Sequence, residues 1–329
     1  MWANEVRKLL AASMVLAAFG AAPTSVLGQE NYPAKDVRVI VPFSPGGGTD
    51  LVTRIFAQKM SEKFGKAFVV ENLAAGSGGS AGSLTLVRSK ADGYTIGSGT
   101  TSGIQAAAID PTDFNPLRDL DPVARYGATT LALVVNPKLP VKTVKELVDY
   151  VKANPDLTFG SSGVGSSTHI IGEKFAKDAG IKIRHVPYRG EGAAIADLMS
   201  GQISMFFVSL AAGKSYIEGG TLRALAVTSE KRSLVFPELP TMIEAGFKDF
   251  ILDAWYALYV PKGTPANVVD VLVKAVNEIR ADPAVKTRLL EQLSFDSSGQ
   301  DDPKAFRVYM EQELQRYIAN AEVAGLRKK

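Results

Sequence analysis

The chain has 329 residues, with 37 Lys and Arg against 34 Asp and Glu, two histidines and no cysteine. The absence of cysteine excludes disulfides, thiolate metal sites, a cysteine nucleophile and a lipid anchor attached to an N-terminal Cys. The near-balanced charge, without a run of Lys or Arg, argues against a nucleic-acid binder.

The first 28 residues have the pattern of a secretory signal peptide. A basic start at Arg7 and Lys8 precedes an apolar stretch that ends near Ala22, and small residues before Gln29 suit a cleavage site. The alternative is a retained anchor, for which the apolar stretch is short. We therefore predict an exported chain of roughly three hundred residues, long enough for two domains.

Short apolar segments alternate with helical patterns over most of the chain. The predicted strands lie in VRVIVPF, AFVVEN, YTIGSGT, TLALVVN, LTFGSS, KIRHVPY, ISMFFVSL and LRALAVTS. This alternation predicts an α/β fold with mostly parallel sheets. Thr143 and Glu146 form a capping box, and Gly180 and Gly201 follow helical patterns as C-terminal caps. After residue 264 two long helical patterns predict a closing helical layer.

Two glycine-rich loops share one layout. IVPFSPGGGTD leads from a strand into a helix predicted near Asp50, and LTFGSSGVGSSTH leads into a helix predicted near Thr168. Glycines let a ligand lie against the backbone, while a helix start offers unpaired N–H groups and partial positive charge. The pattern therefore favours an anion, either carboxylate or phosphate, and neither loop has the G-x-x-x-x-G-K-[ST] pattern of a triphosphate site. The alternative is that the glycines only make turns and that the hydroxyl residues only cap helices.

A second glycine-rich segment allows two other interpretations. GGSAG around Ser80 fits the G-x-S-x-G turn of a serine hydrolase, which would need one of the two histidines nearby. Gly76, Gly78 and Ala81 fit a loose dinucleotide pattern, but no acidic residue follows about twenty positions later. Short motifs in a low-variety segment arise easily by chance, so we hold the exported hydrolase as the alternative function.

The histidines are ambiguous. His169, in the first turn of its helix, either donates to an anion or has no role, and His185 is expected to pack within a strand. We expect no metal site, because no carboxylate is seen at ligand spacing. Arg189 can pair with a carboxylate or lie on the surface, and Trp255 is either core or a wall of a cleft.

Taken in order, these segments resemble one family. The segments YPAKDVRVIVPFSPGGGTD, ADGYT, FGSSGVGSSTH, VPYRGEGAAIADLMSGQI, LRALAVTSEKRS, ELPTMIEAGF and WYALYVPKGTP are similar to those of the periplasmic receptors of tripartite tricarboxylate transporters, the Bug receptors. The resemblance covers essentially the whole predicted mature chain. It implies a two-domain periplasmic-binding-protein fold of type II-like form, each domain a mostly parallel sheet flanked by helices, with the ligand held in the cleft between domains and no catalysis.

The resemblance also implies domain boundaries and binding residues. We expect domain 1 to comprise residues 29–130 and 255–329, and domain 2 residues 131–254, joined by crossing strands and not by a flexible tether. The loops at 43–50 and 161–169 would hold one carboxylate. The predicted binding residues are Phe43, Ser44, Gly46, Gly47, Gly48, Thr49, Asp50, Ser102, Ser161, Ser162, Gly163, Val164, Gly165, Ser166, Thr168 and His169, with Tyr188, Arg189, Phe207, Ser209 and Trp255 as a far wall.

The chain departs from the family pattern in two places. After Asn72 the usual Arg-Pro pair is replaced by LAAGSGGSAG, and Ser102 and Gly103 stand where a histidine or similar polar residue is common. The smaller, less polar wall favours an aromatic or longer dicarboxylate over an amino acid or hydroxy acid. We expect a monomer without cofactor, which captures a small organic carboxylate in the periplasm for a membrane permease. Delivery to a sensor protein is a further possibility that the sequence leaves open.

Overall fold

The structure is a computed structural model, and it describes residues 32–74, 76, 79–110, 114–297, 302–323 and 327. The described residues from Lys35 onwards belong to one compact unit. The predicted signal peptide lies outside the described residues. Within the part of the chain that is described, no helix is both long and apolar enough to cross a membrane.

The described chain alternates strands and helices from Val37 onwards. The strands are β1 Val37–Val41, β2 Phe68–Asn72, β3 Thr95–Thr100, β4 Leu120–Val135, β5 Thr158–Ser161, β6 Arg184–Pro187, β7 Met205–Ser209, β8 Arg223–Val227 and β9 Asp253–Pro261. The helices are α1 Gly48–Phe64, α2 Ser80–Val87, α3 Thr101–Ile109, α4 Pro116–Asp119, α5 Val144–Ala153, α6 Ser167–Asp178, α7 Glu191–Ser200, α8 Leu210–Glu218, α9 Ala266–Ala281, α10 Pro283–Leu293 and α11 Pro303–Val323.

The strands form two sets that share β4. In the first set β1 lies between β2 and β3, parallel to both, and β9 pairs antiparallel with β3. In the second set β5 lies parallel to both β6 and β7. The early part of β4 pairs antiparallel with β9, and its last residues, Leu131–Val135, pair antiparallel with β7. We call these two sets, with their helices, the first and second sheet halves.

All eight strands predicted from the sequence are present, and each sheet half has a parallel core as expected. The sequence analysis missed β9 as a strand and missed the first part of β4. Pro122 and Gly127 interrupt the apolar pattern of β4, and the pairing with β9 shifts register at both places. A bulged strand of this kind has no regular alternation for a sequence pattern to reveal.

The predicted helix ends and the closing helices are confirmed. Thr143 accepts the N–H of Glu146 at the start of α5, at 3.1 Å, while Gly180 and Gly201 have φ of 60° and 87° after their helices. Helix α11 packs against α3 and β4, where Phe306 is fully buried against Trp255. The last of these helices therefore packs on the first sheet half.

Candidate functional site

The two glycine-rich loops follow the carboxyl ends of β1 and β5. Helix α1 begins at Gly48, and its N-terminal cap Gly47 supplies no side-chain hydrogen bond. Helix α6 begins at Ser167, and the Oγ of Ser166 accepts the N–H of His169 at 3.3 Å. Both helices therefore begin two or fewer residues before the positions expected from the sequence. Each helix start presents N–H groups of its first turn, which suit an anionic ligand.

The first loop is held by Asp50, which is 3% exposed. Its carboxylate accepts the N–H of Gly46 at 3.0 Å, the Nε of Arg54 at 2.9 Å and the Nδ2 of Asn72 at 3.0 Å. Gly46 has φ of 78°, a left-handed conformation that favours glycine. Because its oxygens are already bonded, Asp50 shapes the loop and does not bond the N–H groups at the start of α1.

The second loop is held by hydroxyl groups. The Oγ1 of Thr168 accepts the N–H of Ser162 at 2.8 Å and lies 3.0 Å from the Oγ of Ser162 and 3.1 Å from that of Ser166. Gly163 and Gly165 have φ of 129° and 75°. Ser166 donates its own proton to the carbonyl oxygen of Gly163 at 2.6 Å. The hydroxyls of Ser162 and Thr168 can reorient their protons, so this loop can donate to an anion without moving its heavy atoms.

Each loop is bonded to the opposite sheet half. The Oγ of Ser102, at the start of α3, accepts the N–H of Ser167 at 3.2 Å. The N–H of Ser44 donates to the carbonyl oxygen of Arg189 at 2.9 Å, which ties the first loop to the turn before α7. The cleft between the two sheet halves is therefore closed.

A small cavity lies where the loops meet. Its volume is about 30 Å³, counted as space open to the centre of a water molecule, which suits roughly two waters. Six of the predicted residues line it, namely Phe43, Gly47, Thr49, Ser102, Ser162 and Thr168. Six further lining residues were not predicted, namely Thr100, Leu131, Ser167, Glu191, Ala254 and Tyr256. An organic solute needs more space than this, so it enters only when the cleft opens or its walls move.

Glu191 is the one acidic residue among the six lining residues that were not predicted from the sequence. Its Oε2 accepts the N–H of Gly48 at 3.1 Å and the hydroxyl of Ser209 at 2.8 Å, and its Oε1 accepts the N–H of Ser209 at 2.7 Å. The residue keeps some solvent exposure, but its carboxylate is surrounded by protein, and this burial raises its pKa. An acidic residue runs against the expectation for an anion site, although its position between Gly190 and Gly192 in VPYRGEG is a local signal of close packing.

Comparison with known proteins identifies the family of this chain. A protein-family model described as TctC, tripartite tricarboxylate transporter family receptor, matches residues 52–321. Protein BugT of Bordetella pertussis is 34% identical over 331 residues, which cover 99% of this chain and 100% of that protein. The chain belongs to the TctC receptor family.

Solved structures of similar proteins support the same assignment. The periplasmic binding protein BugD superposes with a TM-score of 0.86 at 31% identity, covering 91% of this chain and 100% of that one. A protein of R. palustris solved with adipate has a TM-score of 0.84 at 31% identity, covering 90% and 99%. This TctC receptor therefore has the two-domain fold of periplasmic binding proteins, and it is a periplasmic solute receptor and not an enzyme.

Several residues predicted for the far wall of this TctC receptor lie elsewhere. Trp255 is 1% exposed and packs edge-on against Phe306, since Ala254 and Tyr256, its neighbours on β9, take the face towards the cavity. Phe207 is buried among the aromatic rings of the second sheet half. The alternation of side chains along a strand decides both positions.

The remaining far-wall candidates contact the site only in part. The hydroxyl of Tyr188 donates to Asp197 at 2.7 Å, on α7, and does not line the cavity described above. The side chain of Arg189 is exposed, and only its carbonyl oxygen contacts the first loop. Ser209 donates its N–H and its hydroxyl to the carboxylate of Glu191, which lines the cavity. Val164, in the second loop, is 49% exposed.

The two histidines stack on each other beside the second loop, with ring centroids 4.0 Å apart. The expectation that no carboxylate lies at ligand spacing was wrong, because Glu173, one turn along α6, joins His169 and His185. His169 Nδ1 accepts the N–H of Gly165 at 3.1 Å, so its proton is on Nε2, which faces Glu173 at 3.6 Å. His185 Nε2 lies 2.6 Å from the Oγ of Ser161. With these lone pairs in use, the cluster supports the loop and offers a metal little.

The geometry gives no support to the hydrolase alternative. Ser80 is 5% exposed at the start of α2. Within the described residues, both histidines bond to the second loop and its helix, and neither is bonded to Ser80. Gly78, which completes the motif, lies outside the described residues.

Proposed function

We propose that this TctC receptor captures a small organic carboxylate between its two sheet halves and delivers it to the membrane permease of a tripartite transporter. The observation that carries the proposal is the convergence of two helix starts, one from each sheet half, on a single cavity. Binding of a solute to both starts favours the closed form, because the solute contacts both halves only when they meet.

The lining of the cavity favours a carboxylate over phosphate. Among the described residues that line it there is no lysine, arginine or histidine, so nothing there balances a second negative charge. Helix starts and hydroxyls suit a single charge, since each helix start offers only about half a unit of positive charge. Adipate, with which the similar R. palustris protein was solved, carries one charge on each of two separated carboxylates, so one end alone would lie in this cavity.

The space behind Phe43 supports an aromatic or longer dicarboxylate. Phe43 lines the site cavity and also a second cavity of about 20 Å³, whose other walls include Gly103, Phe114 and Tyr259. A change in the side-chain conformation of Phe43 would join the two cavities and give the solute an apolar extension. The small residues at 102 and 103, which depart from the family pattern, leave this space open.

The organisation of the chain is part of the same proposal. We propose domain 1 at residues 29–130 plus 255–329 and domain 2 at 131–254, with β4 and β9 as the crossing strands. Residues 1–28 would be removed on export, and the mature receptor would dock on its permease as a monomer.

The experiment is thermal unfolding of the mature receptor with adipate, malate, citrate and benzoate, with inorganic phosphate and acetamide as controls. A solute at about 100 times its Kd adds about 2.7 kcal/mol of stability, which raises the midpoint by several degrees. Thr168→Val should reduce this gain, because it removes the hydroxyl that organises the second loop. The control Thr221→Val removes an exposed hydroxyl that bonds only to the Tyr216 carbonyl oxygen. A shift with phosphate and none with carboxylates would refute the proposal.

A further inference from the structure

The carboxylate of Glu191 lies between the starts of two helices from opposite sheet halves. It accepts hydrogen bonds from Gly48, the first residue of α1, and from Ser209, the N-terminal cap of α8. It also lines the cavity together with Thr49 and Thr168, which stand at the two predicted binding loops. A side-chain carboxylate therefore already shares the space proposed for the solute carboxylate.

The glycines on either side show how closely this segment fits the first loop. A Cβ on Gly190, whose φ is 139°, would lie 2.5 Å from the Oγ of Ser44. A Cβ on Gly192 would lie 2.3 Å from the carbonyl oxygen of Pro45. Only glycine allows both approaches, and together they bring Glu191 against the start of α1.

The charged groups around Glu191 are engaged elsewhere. On α1, Asp50 is paired with Arg54. On α8, Lys214 is paired with Glu218. In the turn that precedes Glu191, the side chain of Arg189 is exposed.

On β9 the neighbour is Tyr256, whose pKa is raised well above its usual value by burial and by the charge of Glu191. Within the described residues, only N–H groups and a hydroxyl therefore balance the charge of Glu191.

We propose that Glu191 is a specificity-determining residue that contacts the solute and takes up one proton from solvent when a carboxylate binds beside it. This inference rests on the proposed function. Two carboxylates within one small cavity cannot both stay ionised, because like charges at close range favour protonation of one of them. Protonated Glu191 donates its O–H to a solute oxygen, so the receptor binds an organic anion together with one proton.

Burial of the carboxylate raises the pKa of Glu191 before any solute binds, and this also favours protonation of Glu191. The affinity should then fall as pH rises. The dissociation constant increases tenfold per pH unit where Glu191 is ionised in the free receptor and protonated in the complex. A solute whose second end presents a hydrogen-bond acceptor to Glu191 gains from this contact.

The test is calorimetric titration of the mature receptor with adipate and benzoate, in buffers of low and high ionisation enthalpy, between pH 6 and pH 8. We expect uptake close to one proton per carboxylate bound at pH 7. Glu191→Gln, neutral and still a donor, should abolish proton uptake, flatten the pH dependence and bind at pH 8 at least as tightly as the unchanged receptor. The control Glu230→Gln alters an exposed glutamate and should keep both the uptake and the pH dependence.

Each outcome separates this inference from the function on which it rests. Carboxylate binding without proton uptake would overturn the inference and leave the receptor function intact. Unchanged proton uptake in Glu191→Gln would also overturn the inference while leaving the receptor function intact. It would point to the histidine pair beside the second loop as the group that takes up the proton. If neither probe nor any carboxylate of the thermal panel binds, the proposed function fails and this inference fails with it. Should Glu191→Gln not fold, absence of proton uptake by the unchanged receptor would still overturn the inference, and uptake that persists when both histidines are changed to Gln would support it.

Discussion

Replacement of Gly48 by alanine should block closure of the cleft. The added Cβ would lie 2.4 Å from the hydroxyl oxygen of Tyr256 and 2.6 Å from the Oγ of Ser209, and real Cβ contacts under 3.0 Å essentially never occur. Gly48 has an ordinary helical conformation, so the effect is steric and not a matter of backbone strain. The contact with Tyr256 lies within the first sheet half, whereas the contact with Ser209 forms only in the closed form, in which α1 approaches α8. Overpacking against Ser209 costs about 1–3 kcal/mol.

That cost corresponds to roughly 5- to 150-fold weaker carboxylate binding, since about 1.4 kcal/mol is a factor of ten. The assay is calorimetric titration with the carboxylate that stabilises the receptor most, together with small-angle scattering of the solute-free protein, whose radius of gyration should increase. The matched control is Gly47→Ala, whose Cβ would lie 3.6 Å from the Cβ of Glu191, an ordinary contact. We expect it to change affinity by less than about threefold. Equal affinities for the two variants would refute the steric argument.

Two further predictions concern the supports of the two loops. Asp50→Asn should lower the free energy of unfolding in urea by about 1–3 kcal/mol, because a buried carboxylate with three donors is lost. The control Asp178→Asn, in a helix-surface pair with Lys174, should change this free energy by less than about 1 kcal/mol. Similar losses of stability in the two variants would contradict this account of the first loop. Burial, and then the charge of His169, lower the pKa of His185 to about 4, so between pH 6.5 and 4 the unfolded chain binds more protons and stability falls as pH falls. The melting temperature of His185→Gln should decline less over this range, and an equal decline would exclude His185 as the cause.

The sequence predicted the elements well where the apolar pattern was regular. Each predicted strand except β8 is followed by a helix, so the change from one period to the other marks its end. β9 escaped prediction because its continuous apolar run does not alternate, and the early part of β4 because bulges at Pro122 and Gly127 break its pattern. Strands of this type are recognised by their pairing partners, which lie far away in sequence.

The site was predictable in its loops and not in its walls. Glycines and hydroxyls ahead of a helix have a local physical meaning, so the sequence predicted Thr49 and Thr168, and both line the cavity. Trp255 was placed on the wrong face, because the sequence does not tell which side of a buried strand faces a cleft. Glu191 was missed because its contacts are distant in sequence: Ser209 lies beside it in the second sheet half, and Gly48 reaches it from the first sheet half across the cleft.

The most direct test of the account is a crystal structure of the mature receptor with the carboxylate that gives the largest thermal shift. We predict that one carboxylate of the solute lies about 3 Å from N–H groups at both helix starts, Thr49 on α1 and Thr168 on α6. A solute bound outside this cavity, or a carboxylate held by only one of the two loops, would contradict the central claim.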